Sequence, residues 1–399
     1  MTEAEAEYPL PEQILPEIHD AICNPQIWIV PSVPPDVDPR SSLLRRNHPS
    51  LQPVYRQVFL CRQQDAAQAY QIIQPPAFQP VELSHGGPTW GYLFMGVILP
   101  RRKDDMLYEE PMEHEAQRVA IKRLDLNVVT NELRNGSKEN PFKEIWRMQT
   151  IGDHHHVCAI IEALQAENYL YIITPWCGGG SLSDNLPLSP NDRYSVEDQA
   201  RILFQQILED LHYLHKVHGI CHRDIKTANF LVSESGRVLI GDLAMSFVMP
   251  KGGIVKDIGT FGTPPFMVPE TLLNRPFDGA KCDFWAATVT LYTLVTGLPY
   301  LYRTPRPDDI LFRYCIMAKG LSRDRHNELV KEIISEVDNP QDVSLLSTVV
   351  EHICNMSYDI LELFENSLSL IPEERWGSEQ ACQSRWMQNR GSYDGNILR

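Results

Sequence analysis

Two short apolar runs, FLV (230–232) and RVLI (237–240), flank the turn sequence SESG. Runs of this length around a Ser/Gly turn predict a β-hairpin. No other feature constrains the chain as much, because of what the hairpin would bring together. FLV is preceded by the polar cluster CHRDIKTAN (221–229), and RVLI is followed by GDLAMSF (241–247). The side-chain amide of Asn229 and the carboxylate of Asp242 would then converge. Such a pair can hold Mg²⁺, a hard cation that takes oxygen ligands and shares them with substrate phosphates. Asp224 would sit beside the pair as a base orienting a hydroxyl, and Lys226 could neutralise a phosphoryl group in transit. Those are the requirements of phosphoryl transfer, where catalysis is mostly positioning and charge neutralisation.

The same chemistry calls for a second cation that reaches the inner phosphates of a nucleotide. VAIK at 119–122 supplies Lys122 on a strand, and Glu144 on the next helix can pair with it. The surrounding pattern divides the chain in two. Strands are expected at 54–61, 68–73, 92–99, 118–124 and 169–174, with one helix over 141–151. From about residue 180 the pattern turns helical. EDQARILFQQILEDLHYLHKVHG (197–219) sets Leu203, Ile207, Leu211 and Leu214 at helical spacing. A strand-rich first half and a helical second half imply two lobes, with any cleft between them.

Taken in order, these segments resemble a eukaryotic protein kinase of the serine/threonine type, from about Val81 to Met387. VAIK is similar to that family's lysine strand, and KEIWRMQTIGDHHHV (143–157) to its regulatory helix and following loop. NYLYIITPWCGGGSL (168–182) resembles the strand and hinge that hold adenine. CHRDIKTANFLV looks like the catalytic loop, GDLA the magnesium loop, and GTFGTPPFMVPE (259–270) the substrate-positioning segment. CDFWAATVTLYTLVTG (282–297) and IPEERW (371–376) resemble the central helix and the late arginine motif. Eight motifs in sequence, with thirteen positions from Asn229 to Asp242, make the likeness specific. It implies an α+β bilobal fold: a small antiparallel β-rich lobe with one regulatory helix (81–174), a hinge (175–178) and a mainly helical lobe (179–387).

The resemblance also implies roles. Asp224 would be the catalytic base and Lys226 its assistant, with Asn229 and Asp242 holding the metal ions. Lys122 would grip the α- and β-phosphates and pair with Glu144. The Pro175 carbonyl and the Cys177 N–H would face adenine. Ala120 and Leu231 would pack on its two faces, with Thr174 at the back of the pocket. Gly86, Gly87, Gly91 and Leu93 belong to the phosphate lid. Lys226 and Thr263 are the serine/threonine versions of their motifs. Thr260 lies where activated kinases carry a phosphate, and Arg223 would be its partner, since phosphate opposite arginine makes charge-assisted hydrogen bonds. Glu270 could pair with Arg375. The expected activity is transfer of the γ-phosphoryl group of ATP, with Mg²⁺, to serine or threonine hydroxyls of protein substrates.

Two places depart from the family. In the lid, GGPTWGYL (86–93), Pro88 replaces a glycine, and proline has no N–H to offer phosphate. Asp-Leu-Ala stands at 242–244 where Asp-Phe-Gly is usual. There Ala244 would cost about 1 kcal/mol if a glycine-like conformation were needed. These departures frame the alternative, a pseudokinase acting as a nucleotide-sensing or scaffolding module. Against it stand Lys122, Glu144, Asp224, Asn229 and Asp242 together. A small-molecule kinase is disfavoured by GTPPFMVPE, which resembles a segment that docks polypeptide.

Bulk properties narrow the rest. The formal net charge is −16, with 52 acidic against 36 basic residues, which argues against a nucleic-acid binder and a polybasic membrane anchor. The uncharged run FWAATVTLYTLVTGLPYLY (284–302) is interrupted by Gly297 and Pro299 and is expected to be a buried helix rather than a membrane span. The nine cysteines contain no CxxC pair, so the thiols are expected to be reduced and the compartment intracellular, cytoplasmic or nuclear. MTEAEAEYPLPEQ has the wrong character for a targeting peptide. Residues 1–50, acidic and proline-rich, are expected to form an unstructured arm, 51–80 to hold extra strands of open assignment, and 388–399 to form a short tail. Of the histidines, 154–156 are adjacent and do not converge easily on one ion. Those at 212, 215 and 218 are expected to cap or line a partly exposed helix end, with His222 packing beneath Leu243. Neither Ser181 nor Ala228 supplies an acid that would indicate arginine-flanked substrates.

Overall fold

A computed structural model describes residues 26–30, 57–61, 68–73, 80–83, 89–100, 116–137, 139–166, 168–189, 195–256, 262–320, 323–337 and 339–389. The chain forms two compact units, one of Met1–His154 and Cys158–Trp176, the other of His155–Val157 and Cys177–Arg399.

The first unit is built on one antiparallel sheet. Its strands are β1 (Gln26–Val30), β2 (Gln57–Cys61), β3 (Gln68–Ile72), β4 (Val81–Leu83), β5 (Gly91–Pro100), β6 (Arg118–Asp125), β7 (Glu162–Ala166) and β8 (Tyr169–Pro175), in the order β1-β2-β3-β5-β6-β8-β7. β3 and β4 pair with opposite ends of β5: Ile72 faces Gly96 and Val81 faces Leu93. The strands at 57–61 and 68–72 therefore extend this sheet. Within the stretch expected to be an unstructured arm, QIWIV at 26–30 also forms a strand, paired with β2.

Alternation along the central strands loads both faces of the sheet. Val119, Ile121, Tyr171 and Ile173 join Tyr70, Ile72, Phe94 and Leu164 in one buried cluster. Leu124, Leu170 and Ile172 join Ala163, Trp90 and three helical side chains in the other. Those three are Val129 of α1 (Leu126–Arg134) and Phe142 and Ile145 of α2 (Pro141–Ile151). Asp125 caps α1 by accepting from the N–H groups of Asn127 and Val128. Asn140 caps α2, and Pro141 occupies its first turn, where a missing N–H does no harm. Gly152, at φ 73°, ends it.

The second unit is mainly helical. α3 (Val196–His212) starts at a Ser195–Asp198 capping box and buries Leu203, Phe204, Ile207, Leu208 and Leu211. The helix expected to run on to 219 changes at Tyr213–Val217 into a π-helical turn. β9 (Phe230–Val232) and β10 (Val238–Ile240) form the predicted hairpin, with Leu231 opposite Leu239. A short helix, α4 (Pro269–Leu272), precedes α5 (Gly279–Thr296), which is buried along most of its length. The threonines of α5 survive burial because Thr288, Thr290 and Thr296 donate to the carbonyls of Phe284, Ala286 and Tyr292. Gly297, left-handed at φ 71°, terminates it. This uncharged run is a core helix, and no described helix is long and apolar enough to cross a membrane. After α5 come α6 (Ile310–Met317), α7 (Arg323–Ser335) and α8 (Pro340–Asn355), which pack on one another, and α9 (Tyr358–Ser367), which packs on α5.

Candidate active site

In the first unit, Lys122 on β6 and Glu144 in the first turn of α2 form an ion pair at 3.0 Å. Glu144 is buried, and a buried carboxylate needs such a partner. Ala120 lies opposite Thr174 across the β6–β8 ladder, and Pro175 closes β8 opposite Val119. Gly91 and Leu93 lie on β5. Gly91 has a structural duty there: a Cβ on it would overlap the carbonyl oxygen of Arg123 on the neighbouring strand. Next to it Trp90 is buried in the sheet–helix cluster, where its N–H donates to Leu83 O and its carbonyl accepts from Asp125 N–H. Gly86 and Gly87 lie outside the described residues.

In the second unit, the hairpin sets the polar clusters side by side. Gly241 N–H donates to Asn229 O at 2.8 Å, which brings Asp242 next in line. Asn229 Nδ2 donates to the Asp224 carbonyl (2.7 Å) and to Asp224 Oδ2 (3.1 Å). Its Oδ1 is thereby the atom left for a cation. Lys226 Nζ donates to the same Oδ2 at 2.6 Å. The other oxygen, Oδ1, accepts from Thr263 N–H (3.1 Å) and Thr263 Oγ1–H (2.6 Å). A further bond from Lys226 Nζ to Thr263 Oγ1, at 3.0 Å, closes the ring. Both oxygens of Asp224 are thus held by donors, which fixes the orientation of the carboxylate.

The structure thus joins Asp224, Lys226, Asn229 and Thr263 in one hydrogen-bonded ring, with Asp242 following the Gly241 that bonds to Asn229. Leu231 is half-exposed on β9 and forms a bridge with Ser181. Cys177 is half-buried, and its carbonyl accepts from Gly180 N–H. Glu270 and Arg375 pair at 2.8 Å, as the motifs implied. Thr260 lies outside the described residues. Its expected partner Arg223 has its guanidinium over the rings of Phe247 and Phe277, at 5.3 and 5.5 Å.

Backbone conformation marks the same place. The described non-glycine residues with left-handed φ are Arg223 (71°), Asp242 (57°) and Asn274 (55°); the first precedes Asp224 and the second follows the Gly241 that bonds to Asn229. Each such residue costs on the order of 1–3 kcal/mol and persists only where its surroundings over-determine it. Ala244 is not among them. It is buried, and its N–H donates to Asp242 Oδ1 at 3.3 Å, so the expected alanine penalty does not arise.

Asp283 on α5 holds Arg223 in place, and motif reading gave it no role. Its Oδ1 accepts from Arg223 N–H (2.8 Å), while Oδ2 accepts from His222 N–H (2.7 Å) and pairs with His215 Nε2 (2.8 Å). Burial pushes this carboxyl upward, but the hydrogen bond and charge of His215, with His222, outweigh it and hold the group below the usual carboxylate range. His215 lies on the π-helical turn at the helix end, as expected, but its side chain is turned inward onto Asp283. The available signal was one acid at the head of an otherwise apolar run, since an acid there must find donors. His222 completes the frame: Nε2 meets Gly241 O at 2.8 Å and Nδ1 accepts from Asp224 N–H at 3.2 Å, an arrangement that fixes the Nε2–H tautomer. His156 Nδ1 lies 2.7 Å from both Asp210 Oδ1 and Arg237 Nη2, and donates to the first or accepts from the second according to its tautomer. Contrary to the expectation from their adjacency, one ring nitrogen from each of His154, His155 and His156 lies within 4.8 Å of the others.

A family model described as a protein kinase domain matches residues 108–387. The chain belongs to the protein kinase family. The kinase domain is similar to sperm motility kinase 2B of Mus musculus, at 36% identity over 159 residues covering 40% of this chain and 31% of that protein. It is also similar to CBL-interacting serine/threonine-protein kinase 3 of Arabidopsis thaliana, at 35% over 187 residues, 46% of this chain and 40% of that one. CBL-interacting protein kinase 30 of Oryza sativa subsp. japonica is 32% identical over 210 residues, 52% of this chain and 42% of that one. The chain spans less than half the length of these curated relatives.

Proposed function

We propose that this kinase transfers the γ-phosphoryl group of ATP to serine or threonine hydroxyls of protein substrates. The ring around Asp224 carries the proposal. A carboxylate with both oxygens fixed by Thr263, Lys226 and Asn229 is suited to accept a hydrogen bond from an incoming hydroxyl and, as the new P–O bond forms, its proton. Lys226, already beside that carboxylate, would screen the phosphoryl oxygens. Lys122, held by Glu144, would bind the inner phosphates.

The site fits magnesium, since Asn229 Oδ1 and the Asp242 carboxylate are hard oxygen donors on residues that flank the open end of the hairpin. Bound there, the ion would neutralise phosphate charge and orient the chain of phosphates. The Pro175 carbonyl, the Cys177 N–H, Thr174, Ala120 and Leu231 are the proposed adenine contacts. Thr263, common to the serine/threonine motif, supports the choice of hydroxyl. The proposal extends to control by phosphate on Thr260, and to work inside the cell on protein partners, with no nucleic acid or membrane involved.

A nucleotide-sensing module without transfer is the second reading. It draws on Pro88 in the lid and on Trp90 and Gly91, both committed to packing. Purified protein incubated with MgATP and a generic protein substrate separates the two. Phosphoserine and phosphothreonine that disappear in Lys122→Met support the kinase reading. Nucleotide binding with no phosphate transfer by the unmodified protein would support the module instead.

A further inference from the structure

The second unit contains a cavity of about 590 Å³ to which the chemistry above assigns no role. That volume is in the range of sites that take a ligand the size of a few side chains. Its inner wall is aromatic: Trp285 and Tyr292 of α5, Tyr302, Phe312 of α6 and Phe364 of α9 are all buried. Trp285 Nε1–H donates to the Tyr302 hydroxyl at 2.7 Å, so the indole N–H on this wall has a partner within the protein.

The rim is unusual in two ways. First, Ile316, Tyr358, Leu370 and Ile371 all line the cavity and are 36%, 74%, 42% and 50% exposed. Large apolar side chains scattered singly need no explanation, but a group of them around one concavity marks an interaction site. Second, the rim bears Glu362, Glu365 and Glu374 against the single lysine Lys319. Glu365 Oε1 accepts from Gly320 N–H at 2.8 Å, and none of the three acids forms an ion pair among the described residues. An aromatic floor and an acidic rim select an apolar group that carries positive charge beside it. The same carboxylates would repel the anionic headgroup of a fatty acid or acidic phospholipid.

We propose that this cavity is a docking site for a partner polypeptide that inserts a bulky apolar side chain and sets adjacent arginine or lysine residues against Glu362, Glu365 and Glu374. The anchor fills the aromatic pocket, and the basic residues give register and on-rate. The segment recognised would lie in a substrate or a regulator of the kinase, engaged through the second unit alone.

Panning a phage-displayed random dodecapeptide library on the full-length protein tests this. Enriched sequences should share a bulky apolar residue within a few positions of Arg or Lys. A synthetic peptide of the leading sequence should bind by fluorescence anisotropy and weaken as salt rises. Tyr358→Ala with Ile371→Ser should weaken binding at least tenfold. Glu362→Gln with Glu374→Gln should weaken it and flatten the salt dependence. All four positions are on the rim and outside the Asp224 ring, so phosphate transfer to a generic substrate should be unchanged in both variants. No enrichment, a consensus without basic residues, or a peptide that binds both double variants as tightly as the parent protein would overturn the proposal. So would a fluorescent fatty acid that the peptide fails to displace from this cavity.

Discussion

Asp283→Asn asks how much the frame behind the Asp224 ring contributes. Asparagine keeps the shape of the side chain but replaces one acceptor oxygen with an NH₂ donor. If that donor takes the place of Oδ1, it faces Arg223 N–H; if it takes the place of Oδ2, it faces His222 N–H and His215. His215 can change tautomer to accommodate a donor, but neither backbone N–H can. One buried N–H therefore loses a charge-assisted bond and gains no substitute, a loss of about 2–4 kcal/mol. The pH dependence gives a second, sharper signature. The Asp283 pKa is depressed in the folded protein, so its stabilisation is present above the unfolded carboxylate value of about 3.9 and is lost as pH falls through the folded pKa. Urea unfolding of parent and variant should differ by about 2–4 kcal/mol at pH 7 and converge in acid. Amide exchange at residues 222–224 should accelerate in the variant at neutral pH. A difference below about 0.5 kcal/mol at pH 7, or one of equal size at every pH, would refute the reasoning.

Other outcomes follow from the same geometry. Trp90→Ala removes a buried side chain from the sheet–helix cluster and should destabilise the first unit by about 3–5 kcal/mol, read by thermal unfolding. Ala244→Gly should leave phosphate transfer unimproved and lower stability by about 0.4–1 kcal/mol, because Ala244 has no left-handed φ to relieve and glycine frees the unfolded chain. Thr263→Val should lower kcat by roughly tenfold to a hundredfold through loss of the hydroxyl bonds to Asp224 and Lys226, whereas Thr263→Ser should retain most of it.

Much of the site was legible in the sequence because its parts are local. The hairpin register follows from two short strands and a turn, so the approach of Asp242 to Asn229 could be read before any coordinates. The bounds of α2 at Pro141 and Ile151 follow from an Asn-Pro start and a glycine stop, and they position Glu144 for Lys122. What escaped depends on partners distant in sequence. The Asp283–His215 pair links residues 68 apart. Trp90 looked like part of a phosphate lid, and only the packing of Phe142 and Ile145 makes it a core residue. α1 was missed because Val128, Val129 and Thr130 argue for strand; its Asp125 cap and the burial of Val129 decide otherwise. The cavity of the second unit leaves no periodic trace, since its wall comes from four separate stretches between 285 and 374.

The most direct measurement is a comparison of Asp224→Asn with the parent protein, reading nucleotide affinity and phosphate transfer from γ-labelled MgATP in parallel. The kinase reading predicts similar affinity and a fall in transfer of about 10²–10⁴-fold, the usual contribution of a positioned base. Transfer by the variant at the parent's rate would contradict it.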